Sequence, residues 1–159
     1  MFLPEIRFCG PDDVPAIIEA NGLSLYPWPD AVIARDLAAS SLEQTREDLS
    51  YLGAFSRGSG ARLLGYAVMG HEAGFALLMG LMVLPRYRRR GIGTQLVLAV
   101  AECARSMGRT RLILRVGEAN APARALYEGL SFRRGATRAR YYSDGENAVE
   151  MVLLLHRAL

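Results

Sequence analysis

Apolar and polar positions recur along this chain at two periods, and each change of period marks an element. Glu5 to Cys9 alternates as a short strand. Pro11, Asp12 and Asp13 then open a helix that runs through Ile17, Ile18 and Ala20 and stops at Asn21 and Gly22. The loop Leu23 to Pro29 follows, and Asp30 is placed to cap a second helix with Val32, Ile33 and Leu37 on one side. Ser40 to Asp48 is polar and reads as a loose connection. From Tyr51 to Leu84 the pattern is β: Tyr51 to Phe55, Leu63 to Met69 and Phe75 to Leu84 are separated by Arg57-Gly58-Ser59-Gly60 and Glu72-Ala73-Gly74. Three such runs predict an antiparallel meander.

The helical period returns from Gly91 to Met107, with Ile92, Leu96, Ala99, Val100 and Cys103 on one stripe and Gly108 at the end. Arg109 to Val116 carries Leu112, Ile113 and Leu114, apolar on both faces, and so reads as a buried strand. Strand, helix and strand in that order make a crossover whose two strands are parallel. Asn120 can cap a short helix, Ala121 to Gly129, in which Pro122 is tolerated in the first turn. Phe132 to Tyr142 and Ala148 to Leu155 form a closing hairpin around Ser143-Asp144-Gly145. The order predicts an α/β fold, a mixed sheet within one domain over residues 1–159.

Composition narrows the class. A chain of 159 residues, 51% hydrophobic and 22% charged, is long enough to bury one core. Glu5, Arg7, Asp12 and Asp13 break up the N-terminus, and no apolar run approaches the ~20 residues of a membrane span. A cytoplasmic protein with no membrane partner is expected. Cys9 and Cys103 are isolated, and their spacing supports neither a disulfide framework nor a metal site.

Charge changes the picture more. Residues 1–85 carry 5 Arg against 10 acids, residues 86–140 carry 13 Arg against 3 acids, and residues 141–159 carry 1 Arg against 3 acids. A positive field in the middle segment suits a polyanionic partner, either a phosphate-bearing cofactor or nucleic acid. No recognition motif for nucleic acid accompanies it, so none is expected as partner.

The candidate chemistry lies inside that segment. Leu81, Met82, Val83 and Leu84 end at Pro85, and a basic turn with Arg88, Arg89 and Arg90 closes on Gly91 and Gly93. Residues without Cβ let a ligand approach the backbone, and the first N–H groups of the helix point into the turn. Three arginines around those amides make a cradle for a pyrophosphate. A dinucleotide fingerprint needs glycine where Leu96 stands, and a nucleotide-hydrolase loop needs a lysine, which the chain lacks altogether.

Arg88-x-x-Gly91-x-Gly93 after a Val-x-Pro strand end resembles the acetyl-CoA loop of the GNAT acetyltransferase superfamily. A second segment, Leu114-Arg115-Val116-Gly117 through Asn120 to Ala125-Leu126-Tyr127 and Phe132, is similar to that of RimI-type ribosomal-protein N-terminal acetyltransferases. Their pattern runs Leu-Glu-Val-Arg, two variable residues, Asn, Ala-Leu-Tyr and Gly-Phe. Arg138-Ala139-Arg140-Tyr141-Tyr142 with Asp144-Gly145 and Met151 resembles the last hairpin of that family, and Tyr26-Pro27-Trp28 its Pro-Trp loop. The resemblance covers nearly the whole chain.

The resemblance implies the GNAT fold, whose parallel pair splays at the cofactor site and whose helices cover both faces of the sheet. It implies acetyl-CoA as cofactor, with the backbone of Leu81, Met82 and Val83 on the pantetheine and thioester. Arg88, Arg89, Arg90, Gly91, Ile92, Gly93 and Thr94 would hold the pyrophosphate, and Asn120 the pantetheine arm. Tyr127 would protonate the departing thiolate, with Tyr141 or Tyr142 as substitutes. Tyr26, Trp28, Arg115, Tyr141 and Tyr142 fall where the acceptor would lie. The implied acceptor is a protein or peptide N-terminus, that of a ribosomal protein being one candidate. A small amine, or an acyl-CoA-binding protein without catalysis, are the alternatives.

One departure matters. Arg115 stands where the RimI-type pattern has the strand glutamate proposed as general base. Glu118 is an odd number of residues further on, so a continuing strand would put it on the opposite face. His71 and Glu72 are the remaining candidates for a base.

Overall fold

The computed structural model describes residues 3–39, 49–72 and 74–156. The polar stretch Ser40 to Asp48, expected as a loose connection, lies outside the described residues, as does Ala73 in the expected turn. Seven strands form one sheet: β1 (Glu5–Phe8), β2 (Ser50–Phe55), β3 (Leu63–Glu72), β4 (Phe75–Val83), β5 (Arg111–Gly117), β6 (Arg133–Arg138) and β7 (Ala148–Leu154). Their spatial order is β1-β2-β3-β4-β5-β7-β6. All neighbours are antiparallel except β4 and β5, which are parallel, as the crossover pattern requires.

Among the described residues, four α-helices cover the two faces: α1 (Val14–Asn21), α2 (Asp30–Ala39), α3 (Ile92–Ser106) and α4 (Ala121–Gly129). The period-two alternation of the strands divides the core between them. Leu112, Leu114 and Val116 of β5 pack with Ile92, Leu96, Val97 and Val100 of α3 and Tyr127 of α4. On the other face Ile17, Ile33 and Leu37 of α1 and α2 pack with Tyr51, Tyr66, Val68 and Met82. Asp30 does not cap α2. It is the first helical residue, and the Pro29 carbonyl accepts from the Val32 N–H at 3.0 Å; Asp30 contributes negative charge to the first turn instead. No described helix is long and apolar enough to cross a membrane.

The feature that makes a site is a split in the sheet. β4 and β5 pair only from Phe75 with Arg111 to Leu78 with Leu114. Beyond that point β4 continues with β3 to Val83, while β5 continues with β7 to Gly117. The β3–β4 register moves from Met69 with Leu78 to Val68 with Gly80, so Met79 is an extra residue on β4. A bulge bends and twists its strand. It falls where β4 leaves β5, and from there the backbone groups of β4 that face β5 have no ladder partner.

Candidate functional site

The split opens on two sides of the sheet. On the α3 and α4 side a cleft of about 560 Å³ is lined by Leu81, Met82 and Val83, by Arg88, Arg89 and Gly91 to Thr94, and by Asn120. The turn that floors it is shaped by two left-handed residues, Arg89 at φ 63° and Gly91 at φ 80°. For Gly91 that conformation is unstrained. Gly91 caps α3 without a side chain, and the first helical bond runs from the Gln95 N–H to the Gly91 carbonyl at 3.1 Å. The amides of Ile92, Gly93 and Thr94 therefore precede the ladder, with the positive end of a 15-residue helix behind them.

These residues fit the group the sequence implies. A Cβ on Gly93 would meet Val83 and Leu126 only at ordinary contact distances of 3.7 and 3.8 Å, so the fold itself does not demand glycine there. A ligand lying close on the turn would favour a residue without Cβ there. The Arg88 Nε donates to the Val83 carbonyl at 3.0 Å, tying the turn to the end of β4. Of the three arginines expected in the cradle, Arg88 and Arg89 line the cleft. Arg90 lies instead by the Tyr87 ring, 5.9 Å from its centroid.

Asn120 caps α4, its Oδ1 accepting from the Ala123 N–H at 3.3 Å, and the residue also lines the cleft. Tyr127 lies one step deeper, in a cavity of about 320 Å³ between the split strands that also touches Leu81, Met82, Asn120 and Arg115. Its ring is buried edge-on against Phe132 at 5.6 Å, so it packs as well as lining the cavity. Burial, with a smaller contribution from Tyr142, pushes its pKa up to about 12. The phenol stays protonated at any ordinary working pH.

On the α1 and α2 side the split meets a second cavity, of about 380 Å³, between the α1–α2 loop and the β6–β7 loop. Tyr26, Trp28, Arg115, Tyr141 and Tyr142, the residues the resemblance puts near the acceptor, all line it. The Tyr26 and Tyr142 rings stack at 4.4 Å and 8°, and the Tyr26 hydroxyl donates to Asp144 Oδ2 at 2.9 Å. Buried Asn21 holds the Trp28 backbone at both ends: Oδ1 accepts from its N–H at 3.0 Å and Nδ2 donates to its carbonyl at 2.8 Å. The Tyr142 hydroxyl donates to the Arg115 carbonyl at 3.3 Å.

Arg115 sits directly across from Glu150 of β7, its Nε 3.4 Å from Glu150 Oε2. Arg138 Nε approaches the same oxygen at 3.5 Å. Glu118 follows the end of β5 and turns toward Arg134 at 3.7 Å, away from both cavities, so it does not replace the missing carboxylate. His71 and Glu72 are no substitute either. They pair with Ala76 and Phe75, and Ala76 lies four residues before Gly80, roughly 13 Å along the strand. Burial, with Arg109 nearby, lowers the His71 pKa.

The sequence pattern did not reveal Asn21, Asp144 or Glu150 as site residues. Only Glu150 carried a signal, as one charge inside the apolar run Ala148 to Leu154.

Residues 16–132 match the Acetyltransferase (GNAT) family. A [ribosomal protein bS18]-alanine N-acetyltransferase from Escherichia coli strain K12 is 34% identical over 131 residues, 80% of this chain and 81% of that one. An N-alpha-acetyltransferase from Saccharolobus solfataricus is 37% identical over 75 residues, 46% of this chain; the match spans less than half of that relative, 45%. The crystal structure of the Escherichia coli ribosomal-protein-S18-alanine N-acetyltransferase superposes with a TM-score of 0.79 at 27% identity, covering 99% of this chain and 97% of that one. Ard1 from Thermoplasma volcanium shares the fold, with a TM-score of 0.83 at 24% identity over 98% of this chain and 100% of its own.

Proposed function

Because the chain belongs to the GNAT acetyltransferase family and uses acetyl-CoA, we propose that it transfers the acetyl group to the α-amino group of a protein or peptide N-terminus. The observation that carries this reading is the split itself: a backbone-lined cleft on one face and an aromatic cavity on the other meet between β4 and β5. Residues 1–159 act as one catalytic domain, in the cytoplasm. A ribosomal-protein N-terminus is the first acceptor to test, since the Escherichia coli relative is named for one.

When bound, acetyl-CoA supplies an activated acetyl thioester. The chain's own residues do the rest. The backbone of Leu81 to Val83, paired with β3 on one edge and without a β5 partner on the other, would orient the pantetheine and thioester, and the amides of Ile92 to Thr94 with Arg88 and Arg89 would hold the pyrophosphate. Alignment of two reactants in such a split contributes ~7 kcal/mol or more to rate. A backbone N–H near Val83 is available to the carbonyl oxygen as charge develops on it. Tyr127, which lines the cavity between the split strands, would hold its proton toward the leaving sulfur. With a phenol near 12 and a free thiol near ~8.5, full transfer would run on the order of 5 kcal/mol uphill, so donation of a hydrogen bond is the larger part of its role.

Among the described residues, no Asp, Glu or His lines either the cavity between the split strands or the acceptor cavity. An α-amine, with a pKa near ~7.7 to 8.0, is about a third neutral at pH 7.5, whereas lysine at ~10.4 is about a thousandth neutral. A site without a base therefore favours α-amines. Peptides with free and blocked N-termini, each carrying an internal lysine, test this by mass spectrometry with acetyl-CoA. Acetylation confined to the free α-amine, with kcat/KM rising with pH along the acceptor's own ionisation, is the expected result. Modification of the blocked peptides, or of small amines only, would refute it.

A further inference from the structure

We propose that Arg115 selects the acceptor, and that the preferred acceptor carries a carboxylate on its first or second residue. This rests on the N-terminal acetyltransferase reading and names the substrate class of that same site.

Arg115 lines both the cavity between the split strands and the acceptor cavity, so it borders the place where the amine must meet the thioester. Its side chain is only 24% exposed. A charge so withdrawn from water is costly unless it is paired. The pairing present is incomplete. Glu150 Oε2 lies 3.4 Å from Arg115 Nε and 3.5 Å from Arg138 Nε, beyond good hydrogen-bond length for either, and one carboxylate is shared between two guanidinium groups. Arg115 Nε and Glu150 Oε2 are both buried without a hydrogen-bond partner.

The group therefore stays net positive and under-bonded. The charged residues lining the two cavities, among those described, are Arg115 and Arg88, both cationic. A guanidinium presents a planar fork that takes a carboxylate in two parallel hydrogen bonds. An acceptor with Asp or Glu beside its amine supplies that carboxylate and relieves the positive field. One with Lys or Arg there adds to the repulsion and is rejected.

The test compares kcat/KM for matched peptides with Asp or Glu, Asn or Gln, and Lys at position 1 or 2, using wild type, Arg115→Met, Arg115→Glu and Glu150→Gln. Wild type should favour the acidic peptide over its amide isostere by roughly tenfold to a hundredfold at one of the two positions. Arg115→Met should bring that ratio near one, Arg115→Glu should turn the preference toward Lys, and Glu150→Gln should raise it by releasing the guanidinium. The acetyl-CoA melting shift reports folding independently of the acceptor. If Arg115→Met fails that check, Arg115→Lys, which keeps the charge and loses the fork, should still cut the ratio. A wild-type ratio near one at both positions, or a ratio untouched at Arg115, overturns the inference while leaving N-terminal acetylation standing. No acetylation of any peptide overturns both.

Discussion

The cleft assigned to acetyl-CoA and the acceptor cavity share the same split in the sheet, yet one is lined largely by backbone from one continuous stretch and the other by side chains gathered from distant ones. Leu81 to Thr94 supplies most of the first, and Asn120, Pro122, Ala123 and Leu126 at the cap and first turns of α4 supply the rest. The second is assembled by contacts such as Tyr26 to Asp144, 118 residues apart, and Arg115 to Glu150 across two strands. A backbone site is set by where a strand ends and a helix begins. A side-chain site can change its partners while the fold stays the same.

Tyr127 joins the two halves, and it breaks the comparison most severely. Tyr127→Phe keeps the ring against Phe132 and removes only the donor. Turnover should fall by ~10²-fold or more, while the acetyl-CoA melting shift stays as in wild type. Because the wild-type phenol holds its proton to about pH 12, the rate should show no falling alkaline limb from this group up to pH 10. A phenylalanine variant that turns over like wild type would make Tyr127 a packing residue.

Gly91→Val strikes one half alone. Its φ of 80° suits glycine, and a β-branched residue there shifts the turn that aims the helix amides. At a hundred times Kd, acetyl-CoA should stabilise the wild type by roughly 2.7 kcal/mol. The variant should lose that shift and keep a folded apoprotein, read by circular dichroism. A retained shift would place the pyrophosphate elsewhere.

The same contrast explains what could be read from the sequence. The strand run ending at Pro85, the glycines at 91 and 93, and Asn120 before Pro122 are local signals, and the structure brings them into one cleft. The Met79 bulge that opens the split left no mark in an apolar run, since one extra residue between Leu78 and Gly80 keeps the composition unchanged. Arg90 could not be told from Arg88 and Arg89, because three consecutive arginines look alike in sequence and only the fold puts Arg90 by the Tyr87 ring. His71 and Glu72 looked available as bases only while strand register was unknown. The tyrosines and Arg115 were visible as residue types, but the links through Asn21, Asp144 and Glu150 depend on pairing that no local pattern encodes.

The smallest expected effect belongs to the acceptor half. The Tyr26 hydroxyl bonds Asp144 while its ring stacks on Tyr142, so the α1–α2 loop is joined to the β6–β7 loop above the cavity. Tyr26→Phe removes the bond and keeps the stack; Asp144→Ala removes the bond from the other side. One exposed hydrogen bond changes affinity little. Each variant should raise the acceptor KM a few-fold, and the double variant should be no worse than either single one, because both lose the same contact. The acetyl-CoA KM should not move in any of them, since neither residue lines the cofactor cleft. Additive losses in the double variant would show that the two residues touch the acceptor separately. A shift in acetyl-CoA KM would show that the two halves are coupled through the split, and the separation drawn between them would fail.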